Sequence, residues 1–123
     1  MKVLIIDDNK ELTYLFSRLM EKAGHECTVS NFGRSGLALL LDQAFDVAIL
    51  DIEIPDLSGI KIIDALEKSG KLKERKIVVL SASSLSDEKL EELRRRGVHA
   101  CLRKPVEMDL LLKILEEPVV RYD

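Results

Sequence analysis

The sequence predicts a single α/β domain built on a doubly wound, five-stranded parallel sheet. Three observations carry that expectation. Short β-rich runs alternate five times with longer stretches of helical periodicity. The runs VLII, VAIL and IVVL are apolar throughout, as in strands covered on both faces. A chain of 123 residues suffices for one core and is short for two ordinary domains.

The elements follow in order. KVLIID, from Lys2, is the first strand. KELTYLFSRLMEKAG is the first helix, with Leu12, Leu15, Phe16, Leu19, Met20 and Ala23 expected on its inner face and Gly24 as a stop. ECTVS is a weak second strand, and GRSGLALLLDQA a helix with an apolar centre. DVAILDI is a buried third strand. SGIKIIDALEKSG is a helix expected to turn Ile60, Ile63, Ala65 and Leu66 inward. KIVVLSA is a fourth, apolar strand. In SDEKLEELRRRG the acids come first and the arginines last, which suits the helix dipole; Leu90 and Leu93 face inward. ACLRK is a short fifth strand, and MDLLLKILEE the last helix. The domain is assigned to residues 1–117, with a tail at 118–123.

Right-handed crossovers put helices on both faces of such a sheet. In the order 2-1-3-4-5 the first and third strands are neighbours and the chain reverses direction between them. Ligands bind at the carboxyl ends there. Cys27 and Cys101 then lie on opposite edge strands, four spacings or roughly 19 Å apart, too far for a disulfide. Two cysteines without metal-site spacing read as small apolar side chains.

Composition excludes several classes. The net charge of −3 argues against broad nucleic-acid binding. No apolar run approaches the roughly 20 residues of a membrane span. The chain enters a strand at once, so no leader is expected and the cytoplasm is the expected compartment.

The strand ends carry the chemistry. The first ends in Asp7 and Asp8, the third in Asp51, the fourth in Ser81 and the fifth in Lys104. Taken alone, Asp7 and Asp8 would serve as helix N-caps, as would Asn9. Ser81 alone is a strand-end hydroxyl, and Lys104 alone a solvated lysine. Together they are different. Three carboxylates at one sheet edge repel one another and resist burial, so they call for a cation. Oxygen ligands with room for water suit Mg²⁺. Lys104 adds positive charge, Ser81 a hydroxyl donor, and Asp51 can act as a nucleophile towards phosphorus.

These residues resemble the receiver domain of two-component response regulators. Asp7-Asp8, Asp51, the stretch through Pro55 to Gly59, Ser81-Ala82 and Lys104-Pro105 match the family's motifs in order, from Lys2 to about Glu116. The resemblance implies a flavodoxin-like three-layer sandwich. It makes Asp51 the phosphoacceptor, with a phosphohistidine of a partner kinase or phosphotransfer protein as donor. It implies Mg²⁺ held by Asp7, Asp8, Asp51 and the backbone carbonyl of Glu53. Ser81, Ala82 and Lys104 would bind the phosphoryl group, and a cis peptide before Pro105 would aim Lys104. Phosphorylation would switch the fourth helix, fifth strand and fifth helix, residues 87–116, towards an unnamed output partner. A homodimer through this face would use Glu91, Glu92, Arg94, Arg95, Lys113 and Glu116.

The chain departs from the family in three places. Cys101 stands where receivers carry a switch aromatic, and Val106 where Phe is common after Lys-Pro. Glu53 adds a fourth acid, expected either to face solvent or to tune metal affinity and phosphate lifetime. Ser83 is small enough to leave a path for hydrolytic water. His25 and His99 are expected to do no chemistry, and Arg94 to Arg96 to close a helix or form a partner patch.

Three rivals remain. A haloacid-dehalogenase-type phosphatase would carry Asp where Glu53 stands. A flavodoxin-like electron carrier would need a hydroxyl- and glycine-rich loop in place of DDNKEL, because acids repel a flavin phosphate. A phosphorylation-independent pseudo-receiver, acting as a scaffold, would fit the missing aromatic. The expected protein signals; at most it catalyses its own phosphorylation and dephosphorylation.

Overall fold

The computed structural model describes residues 1–82 and 85–119. The expectations for Ser83 and for the last four residues of the tail lie outside them.

Five strands alternate with five helices. They are β1 (Lys2–Ile6), α1 (Lys10–Lys22), β2 (Glu26–Ser30), α2 (Gly33–Asp42), β3 (Val47–Asp51), α3 (Gly59–Lys68), β4 (Ile77–Ser81), α4 (Asp87–Arg96), β5 (Ala100–Arg103) and α5 (Met108–Glu116). A short 3₁₀ turn, Leu72–Glu74, precedes β4. All pairings are parallel and the order is 2-1-3-4-5, as the sequence predicts.

Each central strand feeds two cores, because successive side chains leave opposite faces of the sheet. Leu4, Ile6, Leu50 and Val79 pack on one face with Leu40 of α2, Ile62, Ile63 and Leu66 of α3, and Leu93 of α4. Val3, Ile5, Ile49 and Val78 pack on the other with Phe16 and Met20 of α1 and Leu111 and Leu115 of α5. The edge strands β2 and β5 are less buried, which explains their weaker apolar pattern. Cys27 and Cys101 lie on these two edges and both are free thiols.

The helical faces need correction in detail. In α1 the sheet-facing line runs through Thr13, Phe16 and Met20, which are buried. Leu15 is 52% exposed, because at 100° per residue it stands a quarter turn from Phe16. Ala23 is the C-cap and exposed. In α3, Ile62 joins Ile63 and Leu66 in the core, whereas Ile60 and Ala65 are half-buried.

The arginine run of α4 divides. Arg94 pairs with Glu91 at the surface, at 3.5 Å. Arg96 reaches α3, with Nη2 2.6 Å from Asp64 Oδ1 and 3.0 Å from Glu67 Oε1. Gly97 then stops the helix at φ +131°, a conformation that side-chain-bearing residues rarely adopt.

Lys76 was not visible as a structural residue in the sequence. It sits just before β4, is buried, and donates from Nζ to the carbonyl of Leu115 at 2.6 Å and to that of Glu117. These are orphan carbonyls at the end of α5. Burial lowers the Lys76 pKa. The two histidines lie at the same amino-end edge of the sheet; His25 Nδ1 is 3.2 Å from the Met1 amino nitrogen, and its Nε2 is buried without a hydrogen bond among the described residues. His25 Nε2 is 3.8 Å from Glu116, and His99 Nε2 4.0 Å from Glu117. Among the described residues no helix is long and apolar enough to cross a membrane.

Candidate functional site at the carboxyl ends of the strands

The two loops leaving β1 and β3 converge because these strands are neighbours with opposite crossover directions. Asp7 extends β1 by donating its N–H to the Ser30 carbonyl at 3.1 Å, and its side chain is buried. Asp8 is exposed. Neither carboxylate caps α1. Asn9 does that, its Oδ1 accepting from Leu12 N at 3.1 Å. Asp7 Oδ1 accepts from Asn9 N at 2.9 Å, which leaves Asp7 Oδ2 and the Asp8 carboxylate for another role. Asn31, which sequence reasoning missed, braces this loop: its Nδ2 donates to the Asp7 carbonyl at 2.9 Å and to Thr13 Oγ1 at 3.0 Å.

Asp51 ends β3 with 2% of its surface exposed. The chain after it folds back tightly. Gly59 N donates to the Ile52 carbonyl at 2.9 Å, and a Cβ on Gly59 would stand 2.6 Å from the Asp51 carbonyl oxygen. Only glycine fits there, so the sequence expectation for Gly59 has a steric cause. Pro55 is exposed at the tip of the same loop. Its neighbour Asp56 caps α2 from outside, accepting from Gly33 N at 2.7 Å and Arg34 N at 3.1 Å. These bonds hold the Asp56 carboxyl below its usual pKa. Phe32, the residue at the N-cap position, has no side-chain acceptor to offer.

Lys104 follows β5 and is set beside Ser81 by its N–H, which donates to the Ser81 carbonyl at 2.8 Å. The Lys104–Pro105 peptide is cis. The ammonium Nζ lies 2.9 Å from Asp7 Oδ2 and 3.4 Å from Asp51 Oδ1. Burial works against its charge, but Asp7 and Asp51 outweigh it and the pKa rises. Asp51 is pushed up to about 6, first by burial and then by the charge of Asp7, against the pull of Lys104.

One carboxylate oxygen from each of Asp7, Asp8 and Asp51 lies within 4.8 Å of the others. These all-oxygen donors fit a hard divalent cation such as Mg²⁺. Lys104 alone leaves one net negative charge on Asp7 and Asp51 together.

Ser81 is fully buried at the end of β4. Its hydroxyl is 3.2 Å from Glu53 Oε1 and 2.9 Å from the Ala82 carbonyl, both acceptors. The Ala82 N–H donates to Glu53 Oε2 at 3.2 Å. Glu53 therefore does not face solvent: its carboxylate spans Ser81 and Ala82. Cys101 stays apart from this group. Its Sγ lies 3.5 Å from the Leu90 carbonyl in α4, and burial pushes the thiol up to about 11.

The motif order, the strand order and this cluster agree with one family, and comparison decides it. The sequence profile described as "Response regulator receiver domain" matches residues 3–116. The chain belongs to the response regulator receiver domains. PilH of Pseudomonas aeruginosa is 28% identical over 114 residues, covering 93% of this chain and 93% of that protein. A segment of the virulence sensor protein BvgS of Bordetella pertussis is 31% identical over 125 residues; it covers 98% of this receiver but 10% of the sensor. Receiver domains thus occur inside sensor proteins as well as alone. Among solved structures, the receiver domain of Francisella response regulator 1452 superposes with a TM-score of 0.84 at 30% identity, covering 93% of this chain and 92% of that one.

Proposed function

We propose that this receiver is a phosphoacceptor: Asp51 takes a phosphoryl group from a phosphohistidine of a partner kinase or phosphotransfer protein, in a Mg²⁺-dependent reaction. The observation that carries the reading is Lys104 Nζ set between Asp7 and Asp51, at 2.9 and 3.4 Å, with Asp8 completing an all-oxygen cluster.

With its pKa at about 6, Asp51 is mostly ionised at neutral pH and available as a nucleophile. Its carboxylate oxygen forms a bond to phosphorus as the phosphorus–nitrogen bond of the donor breaks, and the imidazole leaves with the electron pair. Asp7, Asp8, Asp51 and the carbonyl of Glu53 would hold the ion, which when bound supplies charge neutralisation to the transferring oxygens. Lys104 exchanges its carboxylate partners for a phosphoryl oxygen. Ser81 Oγ and Ala82 N donate to another. The added charge draws the Ser81 loop inward and biases α4, β5 and α5 towards a second conformation. The protein signals by this change and processes no metabolite.

One observation favours a scaffold role instead. Cys101 packs against α4 and has no ring to move. The two readings separate in amide spectra of the protein with Mg²⁺ and beryllofluoride, an acyl-phosphate mimic. The phosphoacceptor reading expects shifts around Asp51 and across residues 87–116, all lost in Asp51→Asn. A spectrum that does not change refutes it and favours the scaffold.

A further inference from the structure

The donors that a phosphoryl group on Asp51 would need are already engaged by an anion of the protein itself. Ala82 N donates to Glu53 Oε2 at 3.2 Å, and Ser81 Oγ lies 3.2 Å from Glu53 Oε1 and 2.9 Å from the Ala82 carbonyl, so its one hydrogen is divided between these two acceptors. Glu53 begins its reach from the Asp51 loop, where its own N–H points at Asp51 Oδ1 over 3.4 Å. Ser81 is fully buried, so its hydroxyl depends on protein acceptors.

We infer that Glu53 is an internal competitor of the phosphoryl group, a latch that must leave Ser81 and Ala82 before Asp51 can be phosphorylated. The inference rests on the phosphoacceptor reading and adds a regulating residue to it. A carboxylate has two acceptor oxygens on one carbon, about the spacing of two phosphoryl oxygens, so it can stand in for part of that group. Both are anions, and their hydrogen bonds to the same donors are charge-assisted in both cases. The two cannot share one hydroxyl hydrogen and one amide hydrogen. Phosphorylation therefore exchanges bonds instead of adding them, and the rate includes the cost of displacing Glu53.

Geometry and charge make separable predictions. Glu53→Ala removes both the contacts and the charge. Glu53→Asp keeps the charge but shortens the reach by one methylene, so the carboxylate no longer spans both donors. A latch made of contacts is released in both variants. Simple repulsion of an anionic donor would be relieved by Glu53→Ala alone.

The experiment is a time course of intact mass with acetyl phosphate and Mg²⁺ for the wild type, Glu53→Ala, Glu53→Asp and Asp51→Asn. Amide exchange at Ala82 is followed in parallel. The latch predicts about tenfold faster adduct formation in both Glu53 variants, the factor for one charge-assisted hydrogen bond lost before transfer. It also predicts faster exchange of the Ala82 amide in both. Unchanged rates, or acceleration in Glu53→Ala alone, overturn the latch while the wild-type adduct upholds Asp51 as acceptor. No adduct in the wild type or in either Glu53 variant overturns the acceptor reading, and the latch with it.

Discussion

Replacing Asp51 with Asn in metal-free protein should make the fold more stable. Asp51 is buried, lies near Asp7, and is pushed from 3.8 to about 6. A carboxyl whose folded pKa exceeds its unfolded one binds its proton more tightly in the folded state. Unfolding then releases a proton between the two values, so stability falls as pH rises through that window. Below about pH 4 both states are protonated and the charge costs nothing. Above about pH 6 the folded carboxylate is ionised and the penalty is complete. The shift from 3.8 to about 6 sets an upper bound of roughly 3 kcal/mol. In a domain of this size that is at most roughly 10 °C in Tm. Asn keeps the shape and one acceptor oxygen and loses the charge. Urea unfolding in a chelating buffer at about pH 4, 6 and 8 measures the difference directly. Asp51→Asn should match the wild type at the acid end and exceed it by up to roughly 3 kcal/mol at the alkaline end. Mg²⁺ should close that gap by stabilising the wild type more than the variant. Equal stability at about pH 8 without metal would mean that Lys104 fully compensates the buried charges and that Asp51 carries no ionisation penalty.

Other perturbations probe the frame around the site. Gly59→Ala would set a methyl group against the Asp51 carbonyl; overpacking of this kind costs about 1–3 kcal/mol in urea unfolding and would also displace the acceptor loop. Lys76→Met leaves the carbonyls of Leu115 and Glu117 without their donor, and a loss of about 1–3 kcal/mol is expected, with faster amide exchange in α5. Arg103 Nη2 donates to the Leu85 carbonyl at 2.8 Å and to Asp87 Oδ1 at 2.8 Å. Arg103→Ala should therefore quicken exchange at the start of α4 while changing global stability by less than about 1 kcal/mol, because these bonds are exposed.

Much of this is legible in the sequence. Continuous apolar strands marked a sheet covered on both faces, and the residues ending four of its strands marked the edge where the chemistry gathers. Gly59 and the peptide before Pro105 followed from the family resemblance, and a close backbone approach at Gly59 supplies its physical cause. What was not legible is contact between distant segments. Asn31 bracing Asp7, Asp56 capping α2 and Lys76 holding the end of α5 are each short-range bonds between residues far apart in the chain. No periodicity encodes them. Leu15 reads as inward in the sequence because a leucine is apolar whichever way it turns, yet it is exposed. Glu53 reads two ways in the sequence because its partners, Ser81 and Ala82, lie on a different strand end.

The most direct test of the central claim is intact mass after incubation with acetyl phosphate, with Mg²⁺ or with chelator, for the wild type and Asp51→Asn. One added phosphoryl group is expected in the wild type with Mg²⁺, labile to hydroxylamine as an acyl phosphate is, and none in the variant or with chelator. An adduct that persists in Asp51→Asn, or none in the wild type with metal bound, would contradict the claim.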